Sequence, residues 1–388
     1  MAIRLLHTGD LHLGASFAFL GDKGPKQRQK LLTTFDKIVD LAVSEHVNLL
    51  LIAGDLFDSN NPSYTTIDRV VDSLQKLEQA GIPVCLIPGS HDPYGPCSIY
   101  NLYDFKEALS NLTILAGERA QLSFKDLDLT VYGLGVSDGW RPKDCLKNFT
   151  ASPKTKYHVG LLHGSIEGFR EGENDENNLL SADDIKNSKM NYVALGHNHS
   201  FTNCFQDGTK AFYCGSPSML ELHRNHGHVI LATIDPSGEV DVRPKRVSHS
   251  YHKTENFPVE GLKDVGHLRE LLEAKAHPQV FYEIRLIGKS RLDFPLNRRL
   301  LSNLQKEFGP RFLRLSITDD TSPQLDESSV GMLPENTVLG QFINLMRDEI
   351  AKSDAEDVSM NEKALKLGFT LLTEGSVNED SQDLAEQI

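Results

Sequence analysis

The chain has 388 residues, with 40 Lys and Arg against 54 Asp and Glu, for a formal net charge of −14. Hydrophobic residues at 39% and charged residues at 24% describe a globular chain and exclude a wholly disordered one. No run of 18 apolar residues appears, so neither a membrane span nor a membrane partner is expected. The length leaves room for two or three domains, and an acidic total ordinarily counts against nucleic-acid binding unless the charge is unevenly spread.

In chain order, the N-terminus enters an apolar run at once, which leaves no room for a signal peptide. That run, 3–8, ends in Gly9-Asp10; 47–53 ends in Gly54-Asp55; 84–88 ends in Gly89-Ser90-His91-Asp92. Further on, 157–162 ends in His163-Gly164 and 191–195 in Gly196-His197-Asn198-His199. Short apolar runs of this kind predict strands buried on both faces. Between the first three, Leu31, Phe35, Ile38, Leu41 and Ala42, then Ile67, Val70, Val71, Leu74 and Leu77, recur at helical spacing. The alternation predicts an α/β fold with parallel crossovers, in which polar groups gather past the carboxyl ends of the strands.

After residue 200 the pattern is richer in β: strands are predicted over 211–214, 227–234 and 239–246, and a polar connector over 249–259. A strand–helix–strand unit follows over 280–287, 296–308 and 312–317, then a polar linker over 319–330. Two amphipathic helices are predicted through Leu339, Phe342, Ile343, Met346 and Ile350, and through Leu365, Phe369 and Leu372, before a frayed end. The five cysteines (Cys85, Cys97, Cys145, Cys204, Cys214) are scattered without a CxxC and are expected to be reduced, as in a cytoplasmic protein.

The strand-end corners carry the chemistry. Asp10 and His12 flank Leu11, so in an extended segment they share one side and can hold one metal. Asp55 offers two oxygens that can bridge two ions, and His163, His197 and His199 add imidazoles. Carboxylate and imidazole donors without a thiolate cluster suit manganese, iron or zinc. Two ions about 3.5–4 Å apart orient a phosphate, lower the pKa of a bridging water and stabilise an in-line displacement. His91 is then left as a general acid for the leaving oxygen.

Together, Gly9-Asp10-Leu11-His12, Gly54-Asp55, Gly89-Ser90-His91-Asp92, His163-Gly164 and Gly196-His197-Asn198-His199 resemble the five blocks of the calcineurin-like metallophosphoesterases. Gly54-Asp55-Leu56-Phe57-Asp58 and Cys214-Gly215-Ser216-Pro217 resemble, within that superfamily, the SbcD-like DNA repair exonucleases. The resemblance covers residues 1–235 well and the remainder loosely. It implies a two-sheet β-sandwich flanked by helices as a nuclease domain over 1–250, a small α+β capping domain over 251–318, and an acidic linker with C-terminal helices over 319–388. By position it implies a first ion on Asp10, His12 and His199, Asp55 as bridge, a second ion on His163 and His197, and His91 as the catalytic histidine. Asp92 and Asp58 would both stand behind the ligands, Asp92 in support or packing and Asp58 without a ligand role. The implied cofactors are two divalent ions, manganese foremost. The implied partners are DNA, an SbcC-like coiled-coil ATPase bound by the C-terminal helices, and a second copy of the chain.

One position departs from the family pattern. The block is normally Gly-Asn-His-Asp, with the Asn amide oxygen on the second metal, and here Ser90 stands instead. Ser90 is expected either to ligate after a backbone shift or through a water, with a weaker second ion, or to be an equivalent variant.

DNA as substrate has a second support. Residues 281–314 hold eight basic residues, among them Arg285, Lys289, Arg291, Arg298 and Arg299, against three acidic ones. The leading expectation is a two-metal DNA exonuclease or endonuclease; the alternatives are a small-molecule phosphodiesterase or phosphatase and a catalytically weak DNA-end-binding scaffold. His223, His226 and His228 are a further metal cluster or simply a loop and strand start, and Trp140 and Tyr94 are expected to pack. Residues 21–26 lack P-loop spacing, so ATP hydrolysis is not expected; Lys23, Lys26, Arg28 and Lys30 either touch a nucleic-acid backbone or are solvated. Residues 319–388 hold sixteen acidic and four basic residues, so the acidic total describes that segment and marks it as the part least suited to DNA.

Overall fold

The structure is a computed structural model that describes residues 2–117, 120–138, 150–151, 154–167, 179–205, 208–218, 227–291, 296–323 and 337–374. Trp140, Cys145, His223, His226 and the stretches 324–330 and 375–388 lie outside the described residues. The chain divides into two compact units, Met1–His252 and Lys253–Ile388.

The first unit alternates strand and helix at its start: β1 (Ile3–Thr8), α1 (Gly24–Ser44), β2 (Leu49–Ala53), α2 (Tyr64–Gln79), β3 (Val84–Ile87), the single turns α3 (Ile99–Leu102) and α4 (Phe105–Ala108), then β4 (Leu112–Ile114). It continues through β5 (Ala120–Phe124), β6 (Leu129–Leu134), β7 (Tyr157–His163), β8 (Ser165–Ile166), β9 (Leu179–Leu180), α5 (Ala182–Asn187) and β10 (Tyr192–Gly196). It ends with β11 (Thr202–Asn203), β12 (Lys210–Tyr213), β13 (His228–Ile234) and β14 (Val240–Arg246). Two six-stranded sheets result, in the orders β14-β13-β1-β2-β3-β4 and β11-β12-β10-β7-β6-β5. β1 to β4 run parallel in the first, as do β6, β7, β10 and β12 in the second.

Alternate residues of the two sheets meet in one core. Leu5, Leu49, Leu51, Ala53, Cys85 and Ile87 of the first sheet pack with Val131, Val159, Leu161, Tyr192, Ala194 and Phe212 of the second. All five residues of β2 are buried, as a central strand covered on both faces requires. α1 starts with Pro25 in its first turn and buries Leu31, Phe35, Ile38, Val39 and Ala42. The Ser63 side chain caps α2 by accepting from the Thr66 amide, and Ile67, Val70, Val71, Leu74 and Leu77 form its buried stripe.

The second unit takes up β15 (Tyr251–Pro258) and continues with α6 (Val265–Lys275), β16 (Val280–Ser290), α7 (Arg298–Phe308), β17 (Arg314–Pro323), α8 (Val338–Lys352) and α9 (Ala355–Glu374). Its sheet has the order β15-β16-β17. Tyr282, Ile284 and Leu286 of β16 pack with Leu268 and Leu272 of α6 and Leu301, Leu304 and Phe308 of α7. Ile343 of α8 and Leu365 of α9 are buried.

Two sequence expectations are corrected. The connector expected over 249–259 is largely β15, whose burial alternates because it is an edge strand with polar residues on its open face. The linker expected from residue 319 begins later, since β17 runs to Pro323 and pairs Asp319–Pro323 in parallel with Leu286–Ser290. Both are polar edge strands, which apolar runs do not reveal.

Candidate metal centre

The carboxyl ends of β1, β2 and β3 meet those of β7 and β10, and five loops converge there. The expected extended geometry of Asp10 and His12 does not hold. β1 stops at Thr8, and Asp10 (φ 50°), His12 (φ 46°), Asp55 (φ 50°) and His197 (φ 100°) all adopt left-handed backbone. Such residues cost about 1–2 kcal/mol each and persist where surrounding contacts over-determine them. Here the 10–13 and 54–56 segments zip together: Asp10 N donates to Gly54 O (3.1 Å), Leu11 N and His12 N to Asp55 O (2.9 and 3.0 Å), and Leu13 N to Leu56 O (2.9 Å). Leu11 and Leu13 are buried between the ligand-bearing residues. Gly54 (φ 83°) and Gly89 are required at this density, because a Cβ on Gly54 would strike the His163 ring and one on Gly89 the Asp55 carboxylate and amide.

Three donor groups form among the described residues: one of His12, Asp58 and His91 towards the rim, and two deeper ones. In the first of the deeper pair, Asp10, His12 and His199 offer ligand atoms within 4.8 Å of one another, and His12 Nε2 stands 3.2 Å from His199 Nε2. In the second, Asp10, Asp55 and His163 do the same, and His163 Nε2 stands 3.4 Å from Asp55 Oδ2. Asp55 Oδ2 is also 3.6 Å from His12 Nε2, so one oxygen lies between the two groups. Ser90 Oγ stands 3.2 Å from Asp55 Oδ2, to which it donates, and 3.4 Å from His163 Nε2. The His197 ring is outside these groups: its centroid is 5.2 Å from that of His163, while its amide donates to Asp10 Oδ1 and Oδ2 at 2.8 and 3.1 Å.

The imidazoles are oriented from behind. His163 Nδ1 donates to Ala53 O at 2.8 Å, which turns its Nε2 towards Asp55. Asp58 Oδ1 stands 3.3 Å from His12 Nδ1 and does the same for His12. Asp58, expected behind the ligands, has His12 as its partner, and the Ala53 carbonyl leaves no trace in a sequence at all. His91 lies at the rim with its side chain 49% exposed. Its Nδ1 donates to Asp58 O at 3.2 Å, its ring meets His12 edge-on at 4.4 Å, and its amide donates to Asp55 Oδ1 at 2.7 Å. Asp92 is fully buried and accepts from Gly89 N (2.7 Å), Phe57 N (3.0 Å) and Tyr100 OH (2.6 Å), so it ties the 54–58 and 89–92 loops together. Sequence reading also passed over His7, which is buried and accepts from Tyr192 OH (2.9 Å) while donating to Leu195 O (3.2 Å); burial pulls its pKa down to about 3.

The charges fit cations. Burial alone would raise the Asp55 carboxyl, but His163 and His12 beside it hold it well below the usual carboxylate range. Burial alone would lower His163, but Asp55 and then Asp10 push it up to about 9. Burial and the Asp55 charge raise Asp92. Asp10, His12, Asp55 and His163 are at most 2% exposed, and their acceptor atoms face one another. Two carboxylates and three imidazoles so placed match divalent ions with mixed oxygen and nitrogen ligands.

In the second unit, the basic residues divide. Arg285 and Lys289 fall on the alternate face of β16 from the core residues Ile284 and Leu286, and Arg285 donates to Glu283 at 3.1 Å. Arg298 and Arg299 open α7, which packs on the core face, and Arg291 directly follows β16.

Residues 3–201 match the family described as calcineurin-like phosphoesterase. The chain is 28% identical over 356 residues to a protein named DNA double-strand break repair protein Mre11 from Sulfurisphaera tokodaii, covering 88% of this chain and 87% of that one. It is 23% identical over 390 residues to a protein from Staphylococcus epidermidis whose name makes it a component of the nuclease SbcCD, covering 89% and 94%. It is 28% identical over 206 residues to one named uncharacterized metallophosphoesterase YhaO from Bacillus subtilis, of which it spans 48%.

Proposed function

The chain belongs to the calcineurin-like phosphoesterase family, matched over residues 3–201, and on that premise we propose that it is a metal-dependent DNA nuclease that hydrolyses phosphodiester bonds within a DNA repair complex. The observation that carries this is the pair of donor groups, buried but for the half-buried His199, with Asp55 Oδ2 between them and an exposed histidine at their rim. The names of the relatives, a double-strand break repair protein and a nuclease component, support DNA as the substrate.

Two divalent ions, manganese foremost, would be held by Asp10, His12 and His199 on one side and by His163, His197 and Ser90 on the other, with Asp55 as the bridge. When bound, such ions polarise the phosphate and supply a nucleophile at neutral pH. The remaining work belongs to the chain. Asp58 and the Ala53 carbonyl hold His12 and His163 in the ligating tautomer. The Asp58 carbonyl accepts a hydrogen bond from His91 Nδ1–H, which leaves Nε2, when it carries a proton, as the atom that donates to the leaving oxygen. Asp92 keeps the two loops in register. Arg285, Lys289, Arg291, Arg298 and Arg299 supply cations for the DNA backbone.

An SbcC-like coiled-coil ATPase is the proposed partner, bound through α8 and α9, where Val338, Leu345, Met360 and Leu372 are exposed apolar residues. A homodimer is proposed on the family resemblance. No described helix is long and apolar enough to cross a membrane; action in the cytoplasm is proposed from the unpaired thiols of Cys85, Cys97, Cys204 and Cys214.

The test is digestion of end-labelled linear duplex DNA with manganese. The wild type should degrade it, Asp55→Ala should abolish the activity, and His91→Ala should lower it by about 10²–10⁴-fold while metal binding persists. Hydrolysis of a small aryl phosphodiester without any cutting of DNA would move the reading to a small-molecule phosphodiesterase. End binding without hydrolysis of either would move it to a scaffold.

A further inference from the structure

We propose that a cationic cleft between α1 and the β13–β14 edge binds non-scissile phosphates of the nucleic-acid strand that the metal centre cuts; this rests on the nuclease reading and assigns part of the strand's path. The cleft has a volume of about 340 Å³ and is lined by Lys37, Leu41, Lys245, Arg246, Val247 and Ser248.

Of the cleft's three lining cations, Lys245 is paired with Glu45, and Lys37 and Arg246 are not paired with a carboxylate among the described residues. Lys30 and Lys37 are seven residues apart, so they share one stripe of α1 about 10 Å apart along its axis. The carboxylates of α1 are engaged elsewhere: Asp36 accepts from Arg69 and Ser73, and Asp40 from Lys76, all on α2. Glu45 holds both Lys245 and Arg4. Among the described residues, Lys26, Lys30, Lys37 and Arg246 have no carboxylate in ion-pair contact. The positive set stands out against a chain of net charge −14.

Residues next to the cleft lining, in the chain or across the β13–β14 pair, carry unused polar atoms. Lys37 Nζ donates to His249 Nδ1 at 3.2 Å, which leaves the ring proton on Nε2. That Nε2, Ser250 Oγ and His228 Nδ1 are shut off from solvent without a hydrogen-bond partner, and His228 pairs across the strands with Arg246. Buried polar atoms in native folds are ordinarily satisfied, so each unpaired one calls for an account. Burial and then Lys26 lower the Lys30 ammonium, and burial, Lys37 and Lys30 lower His249. A bound anion would counter the like-charge part of each, the repulsion from Lys26 on Lys30 and from Lys37 and Lys30 on His249.

The cleft is joined to the metal centre by backbone. His199 O accepts from Ser216 N (3.0 Å), Ser216 O from Gly227 N (2.9 Å), and Gly227 O from Val247 N (2.8 Å) and Ser248 N (3.2 Å). A candidate ligand and the cleft wall are thus three hydrogen-bonded steps apart. One inorganic phosphate does not span the Lys30–Lys37 stripe, whereas a strand with repeated phosphates does, and this favours a nucleic acid.

The experiment uses the full chain carrying Lys37→Glu with Arg246→Glu, both at exposed positions. KM for a labelled duplex should rise about tenfold or more, and the salt dependence of kcat/KM should lose about 2 units of slope, roughly one per phosphate contact. Manganese-dependent turnover of an aryl phosphodiester, which reports folding and the intact centre, should be unchanged. Wild-type KM and slope in the variant would overturn the proposal. So would an equal loss from Lys125→Glu, which lies by the amino ends of β2 and β3 and reports a general charge effect. A wild type that hydrolyses the aryl ester and never DNA overturns the nuclease reading itself, a result distinct from either.

Discussion

Ser90 Oγ lies among the donors of the second group, 3.2 Å from Asp55 Oδ2 and 3.4 Å from His163 Nε2. It donates a hydrogen bond to Asp55, and a neutral hydroxyl is a weaker metal ligand than the longer amide oxygen of the family pattern. The second ion is therefore expected to bind more weakly than the first. Calorimetric titration should show two affinities in the wild type, and Ser90→Asn should tighten the weaker by about tenfold, or about 1.4 kcal/mol, and leave the stronger alone; two equal wild-type affinities would count against this. Ser90 could be singled out from sequence because it stands in a recognisable block. Asp10, His12, Asp55, His163 and His199 were legible for a similar reason: each is a ligating residue type placed where an apolar run stops. Asp58 is placed behind the ligands from sequence, but not against any one of them. Its contact with His12 Nδ1 depends on the left-handed backbone of His12, which no spacing rule supplies.

Among the elements, β2 and β10 announce themselves because every residue is buried, so the apolar run is continuous. β15 and the end of β17 do not, since an edge strand needs apolar residues on one face only and polar letters read as loop. The amphipathic helices over 338–372 were legible from period alone, and α8 and α9 occupy that stretch. What period cannot say is what covers them. Val338 and Leu345 are seven residues apart on α8 and 70% and 62% exposed. Burying each against a partner would contribute about 1.5–3 kcal/mol. Val338→Asp with Leu345→Asp should therefore weaken co-purification with an SbcC-like ATPase by at least tenfold and leave aryl phosphodiester turnover within about twofold. A collapse in thermal stability instead would show that this face packs on its own chain.

For the molecule as a whole, the net charge of −14 is concentrated outside the metal centre, with sixteen acidic residues against four basic ones in 319–388. The buried charges of the centre set how stability should answer to pH and metal. In the metal-free protein, Asp55 and Asp10 raise His163 to about 9, above the value of 6.5 for a free histidine. A raised pKa contributes stability that is fully present below 6.5 and lost as pH climbs through about 9. The metal-free chain should therefore lose stability across that window, on the order of 3 kcal/mol if His163 acts alone. An ion on His163 must displace the same proton, so its apparent affinity should rise up to about tenfold per pH unit over the window and level off above it. Calorimetric melting from pH 6.5 to 9.5 should show the metal-free and manganese-loaded curves diverging, the first falling and the second holding or rising. Parallel slopes would mean that His163 is not the group that manganese deprotonates, and His163→Ala, which removes the titrating ring, should erase the divergence.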